Sequence, residues 1–340
     1  MRSLSFSLLV VLLLVPMAAR AQAPAAFARL GFGARGIAMG NAQVADGSGF
    51  ASPYYNPSLA PLTVQQNLEG TVGLLTLDRE LQFLQLAAPL RPRAGVAAGL
   101  IRAGVSNIDG RDASGFHTQD YSTEEYMAFL AFGLRVSERV SWGLSMQLFR
   151  ADLFDDLTPV NSIGLDVGLS VQVSDALRLG FVADDLLARY SWDTSGLYGN
   201  DGKTTSDRFA TRLRLGASYT MLNEQLRIVG EVESSVANTE VVNQRGELLG
   251  NTLVERDESE RLLLQDTYLR VGAEYLLASA FAVRGGFDRL GGPESGGTAP
   301  SAGFMVEQNL GNLMLRVDYA FTLEPYAVSA MHLLTLKVFL

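Results

Sequence analysis

From residue 67 onward the chain alternates apolar and polar residues with period two, over stretches of ten or more residues. Ile163, Leu165, Val167, Leu169 and Val171 alternate with Gly164, Asp166, Gly168 and Ser170. Leu213, Leu215, Ala217 and Tyr219 alternate with Arg214, Gly216 and Ser218, and Leu313, Leu315, Val317, Tyr319 and Phe321 with Met314, Arg316, Asp318 and Ala320. Period two is the signature of a β-strand with unlike faces. The runs are long for a soluble strand and match the ~9–11 residues that a tilted strand needs to cross a bilayer. After residue 23 no apolar run approaches the ~18–20 residues of a membrane helix. A chain of this kind spans a membrane with strands or not at all.

The alternation predicts fourteen strands: 67–77, 80–89, 93–105, 123–136, 139–151, 162–173, 176–187, 207–221, 225–236, 267–277, 280–288, 301–309, 312–322 and 331–340. Their connections fall into two classes. Those at 91–92, 137–138, 174–175, 222–224, 278–279 and 311 are tight. Those at 106–122, 152–161, 188–206, 237–266, 289–300 and 323–330 are long and polar, and only 78–79 breaks the rule. Short turns on one rim and long loops on the other is the pattern of outer-membrane barrels, whose short turns lie in the periplasm. The predicted fold class is therefore all-β, a transmembrane antiparallel barrel of about 14 strands. The terminal run Met331–Leu340 alternates too, as the outer-membrane assembly machinery reads it, but most such signals end in an aromatic residue and here Phe339 is penultimate and Leu340 last. Hydrophobic residues make up 48% and charged residues 19% of the 340, an apolar balance for a soluble protein.

Residues 1–23 read as a signal peptide: Arg2, an apolar core from Leu4 to Val15, and A-x-A patterns that place cleavage after Ala21 or Ala23. Residues 24–66 do not alternate. They are small, turn-rich elements with little core of their own, so the expectation is an N-terminal hatch inside the barrel of residues 67–340. Asn56-Pro57 has the form of a helix N-cap followed by Pro at the first helical position. Gly36 and Gly40, four apart, would let a short helix approach another backbone.

The stretch from Gly33 through Gly36, Gly40 and Asn41 to Ala45, followed by Ala51-Ser-Pro-Tyr-Tyr-Asn56-Pro57-Ser-Leu-Ala60, resembles the N-terminus of the PorV/PorQ family within the wider FadL-like barrels. Those barrels carry a similar Asn-Pro-Ala motif in the hatch; Ser58 stands here in place of Ala. The resemblance implies a fourteen-stranded barrel with a hatch, and two functions. PorV carries cargo proteins in type IX secretion. FadL-like proteins pass hydrophobic small molecules, which calls for an apolar pocket and a lateral opening in the wall.

Arg212, Arg214, Glu231, Glu233, Arg270, Glu274, Arg284, Asp288, Arg316 and Asp318 all fall on the polar phase of their strands, so they are expected to line the lumen as a charge network. A charged lumen favours docking of secreted proteins or secretion-system subunits over passage of a hydrophobic ligand. That sets the expectation: a non-enzymatic docking or shuttle factor in the outer membrane, with the FadL-like channel as the alternative.

Other chemistries find little purchase. No cysteine is present, and the net charge of -9 offers no nucleic-acid footprint. Gly31-Phe-Gly33-Ala-Arg-Gly36 matches a dinucleotide fingerprint but lacks the preceding strand that such a site needs, so it reads as hatch turns. The segment 107–112 lacks the carboxylates of a calcium loop. Asp155-Asp156 and Asp184-Asp185 are adjacent pairs that would point to opposite faces. His117 and His332, in an outer loop and on the outward face of the last strand, give no catalytic base. Trp142, Trp192, Tyr190, Tyr198 and Tyr326 read as an interfacial girdle. No metal, cofactor or catalytic group is expected.

Overall fold

A computed structural model describes residues 24–154, 157–249, 252–291, 297–311, 313–324 and 329–340, with the backbone alone over 238–249 and 252–264. The signal-peptide reading of 1–23 and the pair Asp155-Asp156 lie outside the described residues. Sixteen strands occur: β1 Asn67–Leu74, β2 Arg79–Leu90, β3 Ala94–Arg111, β4 His117–Arg135, β5 Val140–Asp152, β6 Val160–Gln172, β7 Leu177–Leu186, β8 Arg189–Asp193, β9 Thr204–Arg208, β10 Thr211–Met221, β11 Leu226–Leu249, β12 Thr252–Ala278, β13 Phe281–Leu290, β14 Ala299–Leu310, β15 Leu313–Leu323 and β16 Ala330–Phe339. Fourteen of them close an antiparallel barrel in which each pairs with its sequence neighbours and β1 with β16; β8 and β9 form a separate hairpin between β7 and β10.

The strand phase explains the closure. Leu144, Met146 and Leu148 on β5 are exposed, while Ser145, Gln147 and Phe149 are buried. The same split runs through Leu213 and Leu215 against Arg212 and Arg214. Exposed Leu, Val and Phe on every barrel strand would be costly in water. In hydrocarbon they are the required surface.

Three expectations about the loops change. Residues 106–111, 117–122, 237–249 and 252–266 are paired strand and not irregular loop. The β3–β4 ladder continues to Arg111↔His117, and the β11–β12 ladder runs unbroken to Leu249↔Thr252. The latter hairpin outruns the ~10 residues of a bilayer span by about a dozen residues, roughly 40 Å of ribbon at ~3.3 Å per residue. Outside the membrane both faces of a ribbon are wet, so the alternation fades although the backbone pairing persists. The segment 188–206, also expected as loop, carries the β8 strand and part of β9.

The N-terminal segment expected as a hatch packs against inward-facing residues of the wall. A 3-10 turn at Ala26–Arg29 leads to helix α1, Gly33–Ala38, and a second 3-10 helix runs Pro57–Leu62. Asn56 caps that helix: its Oδ1 accepts from the Ser58 backbone N–H at 3.0 Å and from the Ser58 hydroxyl at 2.7 Å. Ser58 thus reinforces the cap that its position already supports.

Candidate functional site

The hatch lies against the wall at a row of glycines on the lumen phase. Gly95, Gly133, Gly143 and Gly168 are direct cross-strand partners on β3, β4, β5 and β6. Across the barrel, Gly180 pairs with Gly216, and Gly272 with Gly286. A Cβ at Gly95 would fall 2.0 Å from the Ala60 carbonyl oxygen, and one at Gly143 2.3 Å from the Pro57 carbonyl carbon. At Gly272 it would meet the Met39 carbonyl oxygen at 2.3 Å. Backbone rests on backbone, which no other residue type permits.

The motif residues sit at these contacts. Asn56 donates from Nδ2 to the Val44 carbonyl at 2.8 Å, and Pro57 lies over Gly143 and Gly133. Gly33 begins α1 with φ +71°, and Gly36 packs against the Tyr55 ring. Gly40 is not on the helix as its spacing suggested. It turns the chain after α1 with φ +61° and lies against the wall backbone at Val271 and Phe287. Asn41 accepts from the Tyr55 hydroxyl at 2.8 Å and donates to Asp288 at 3.1 Å.

The ten predicted charges all lie on the inner side of the wall and bond to one another, to the hatch, or to Asp184, Asp185 and Glu307. Arg270 holds Glu231 at 2.7 Å, Glu233 at 2.6 Å and Asp288 at 2.8 Å. Arg284 bridges Glu274, at 2.6 Å, and Asp318, and Glu274 also takes Arg35 of the hatch at 3.0 Å. Arg214 donates to Asp184 and to the Tyr55 carbonyl at 2.7 Å; Arg212 reaches Asp185 at 2.9 Å. Glu231 accepts from the Val44 backbone N–H at 3.2 Å. Arg316 pairs with Glu307 at 2.6 Å and stacks over Phe50, 3.9 Å from the ring centroid.

Several partners were missed. The β6–β7 register shifts between Leu165↔Leu186 and Val167↔Ala183, so β7 carries an extra residue there. This bulge turns both Asp184 and Asp185 inward, against the expectation that adjacent residues face opposite ways. Arg35 pairs with Asp46 inside the hatch, and Lys337 with Glu69 at 2.7 Å across β16 and β1. The last pair was legible, since both residues lie on the lumen phase.

The larger correction concerns the rest of the lumen. Most of the charges lie on β7 and β10–β15, with Asp166 on β6 and the Glu69–Lys337 pair on β1 and β16 besides. On β2–β5 and β16 the inward residues on the long-loop side of the hatch are Leu81, Phe83, Ile101, Met127, Phe129, Phe149 and Leu333, all buried, while Gln85, Gln147, Thr335 and Lys337 follow deeper on the same strands. Against them the hatch presents Phe27, Phe32 and Tyr54. Phe32 lies 5.1 Å from Phe83 and 5.8 Å from Phe129, centroid to centroid. Burial pushes the Tyr54 hydroxyl up to about 12, so that ring stays neutral. From the rim, Tyr190 and Phe209 fold inward, with Phe209 4.9 Å from both Phe149 and Tyr190. Tyr190 is therefore part of this interior and not of a lipid-facing girdle; Trp142 does face outward, and Tyr326 lies outside the described residues. The lumen has two unlike halves, with the hatch pinned to one by a network of charges and resting on the other chiefly by apolar contact, with Ser52–Gln85, Ala34–Thr335 and Lys337–Phe50 hydrogen bonds below it.

His332 faces outward, its Nδ1 2.7 Å from the Tyr319 hydroxyl. On the outer ribbon Asp109, His117 and Asp120 come together in full exposure, and Asp109 is already bonded to Arg111 and His117.

No family model and no curated protein matches the sequence. Solved structures do match the fold. The Pseudomonas putida toluene transporter TodX is 14% identical with a TM-score of 0.58, covering 91% of this chain and 96% of that one. The Ralstonia pickettii toluene transporter TbuX is 15% identical with a TM-score of 0.58, covering 91% and 97%. A Pseudomonas aeruginosa FadL homologue is 13% identical with a TM-score of 0.58, covering 90% and 97%. These neighbours are transporters rather than enzymes. The chain shares the fold of these barrels, a closed antiparallel barrel of fourteen strands.

Proposed function

We propose that the protein is a passive outer-membrane channel for small hydrophobic molecules, with residues 1–23 removed on export and residues 24–66 serving as its hatch. The observation that carries this reading is the apolar half of the lumen around Phe83, Phe129 and Phe149. A water-filled pore has a polar interior, and a lumen built only to grip a plug by charge has no use for buried aromatics on half its wall. A hydrophobic molecule entering from the loop side meets hatch–wall contacts dominated by aromatic and aliphatic side chains, with the hydrogen bonds of Ser52 to Gln85 and of the Ala34 N–H to Thr335 lying deeper on the same strands. It can replace the Phe32 ring there without stranding a polar group, and displacing Tyr54 costs one hydroxyl–carbonyl bond to Ala28, whereas parting the opposite half would strand several charges.

The docking role drew its weight from a lumen expected to be charged throughout. With most of the charges gathered on β7 and β10–β15, that weight is reduced, and the FadL-like alternative has more support. The solved neighbours named as toluene transporters point the same way by fold. The wall is closed, so the lateral opening expected of such a channel would need movement. The bulge at Asp184-Asp185 is a suitable place, because residues 160–164 of β6 extend past β7 and bond instead to the β8 hairpin through Arg189 N–H to Ser162 at 2.8 Å.

Crystals soaked with a brominated monoaromatic hydrocarbon test the site. Anomalous scattering is expected beside Phe83, Phe129 and Phe149, and lost in Phe129→Asn. Bromine found only on the lipid-facing surface would contradict the proposal.

A further inference from the structure

The other arginines of the lumen are matched by carboxylates, but three on the short-turn rim are not. Beneath the second hatch helix lies a cavity of about 120 Å³ lined by Arg135, Arg139, Arg178, Glu138, Ser141 and Gln172. Its position follows from register. Arg135 ends β4 opposite Ser141 of β5, Gln172 of β6 stands opposite Arg178 of β7, and Gln172 donates its backbone N–H to the Arg139 carbonyl at 2.7 Å. Leu62 of the hatch closes the inner side, and Gly47 of the hatch lies against the Arg178 side chain.

Among the described residues no carboxylate forms an ion pair with any of these three guanidiniums. Arg135 donates to the Pro61 carbonyl at 3.2 Å and Arg178 to the Ser170 hydroxyl at 3.0 Å. Each guanidinium carries five N–H donors, so most are left over. Glu138 is the single acid in the lining, which leaves the cavity two positive charges in excess in a chain of net charge -9. A second observation points into the same space. Ser141 is 2% exposed, and its hydroxyl has no hydrogen-bond partner. Buried hydroxyls are almost always paired. A solvated rim accounts for exposed Arg139, but not for a buried, unmatched hydroxyl beside a half-buried, unmatched Arg178.

We propose that this cavity is a binding site for an oxyanion, a phosphate or carboxylate group presented from the periplasmic side. Planar guanidinium forks suit such groups, and the Ser141 hydroxyl supplies a further donor. The group can arrive as a free anion or as the headgroup of an anionic lipid in the inner leaflet. The site is separated from the apolar chamber by the hatch, and the proposal does not depend on what the chamber carries.

The test uses the full-length mature protein. Inorganic phosphate is titrated calorimetrically into protein in neutral detergent. In parallel, native mass spectrometry follows retention of phosphatidylglycerol from mixed phosphatidylglycerol–phosphatidylcholine nanodiscs. Phosphate binding in detergent assigns the free anion; retention of phosphatidylglycerol without phosphate binding assigns the headgroup. In either case Arg139→Gln and Arg178→Gln should weaken binding about tenfold or more, since each removes a charge-assisted contact. Glu138→Gln should tighten it. Arg139 sits in an exposed turn, so its variant reports even if Arg178→Gln fails to fold. Neither ligand binding, or binding unchanged in Arg139→Gln, overturns the proposal.

Discussion

Replacing Gly143 with alanine is expected to unseat the hatch while leaving the barrel intact. The new Cβ would lie 2.3 to 2.5 Å from the carbonyl carbon and oxygen of Pro57 and the amide nitrogen of Ser58. All three are backbone atoms in a capped helix, so no side chain can swing aside to make room. Overpacking of this kind costs about 1–3 kcal/mol where the surroundings can adjust; here the adjustment is the hatch leaving its bed. Single-channel recordings should show steady conductance in Gly143→Ala where the wild type is closed, and protease should reach residues 24–66. Gly70→Ala, with no heavy atom within 4 Å of its new Cβ, is the control and should stay closed. A closed Gly143→Ala channel would mean that the wall glycines do not set the hatch.

Replacing Arg270 with methionine should have the largest effect on stability. One guanidinium serves Glu231, Glu233 and Asp288, all buried, and Glu231 and Asp288 in turn hold Val44 and Asn41 of the hatch. Removing the cation leaves three acids facing one another, and stranding a buried partner costs about 3–5 kcal/mol. Urea unfolding followed by heat-modifiable gel mobility should show a midpoint lowered accordingly. Arg270→Lys should recover only part, because an ammonium is a point charge without the fork that reaches three carboxylates. An unchanged midpoint in Arg270→Met would show that the network is slack.

The legibility of each strand in the sequence depends on the solvents on either side of it. Where one face meets lipid and the other meets charge, as on β10 with Leu213 and Leu215 against Arg212 and Arg214, the phase is plain and both strand and lumen residues were legible. Where both faces are apolar the phase vanishes. On β4 the run Tyr126-Met-Ala-Phe-Leu-Ala-Phe132 gives no hint that Met127 and Phe129 point inward, so half the lumen was misjudged and with it the balance between docking and transport. The Asp184-Asp185 bulge hid for another reason: one inserted residue reverses the facing of its successors along the strand, and nothing local marks it. The hatch motif was legible as a motif. Its seat was not, because the glycines that form it are spread over β3 to β13 and meet only through the register.

If hydrophobic molecules cross through the apolar half of the lumen, flux should depend on that half, and flux is the most direct measurement. Uptake of a radiolabelled monoaromatic hydrocarbon would be measured in cells lacking the protein, and in the same cells supplied with wild type or with Phe83→Asn/Phe129→Asn. Loss on deletion, recovery with the wild type and no recovery with the double variant, at equal amounts of folded barrel in the outer membrane, is the predicted result. Equal uptake in all strains would contradict the account.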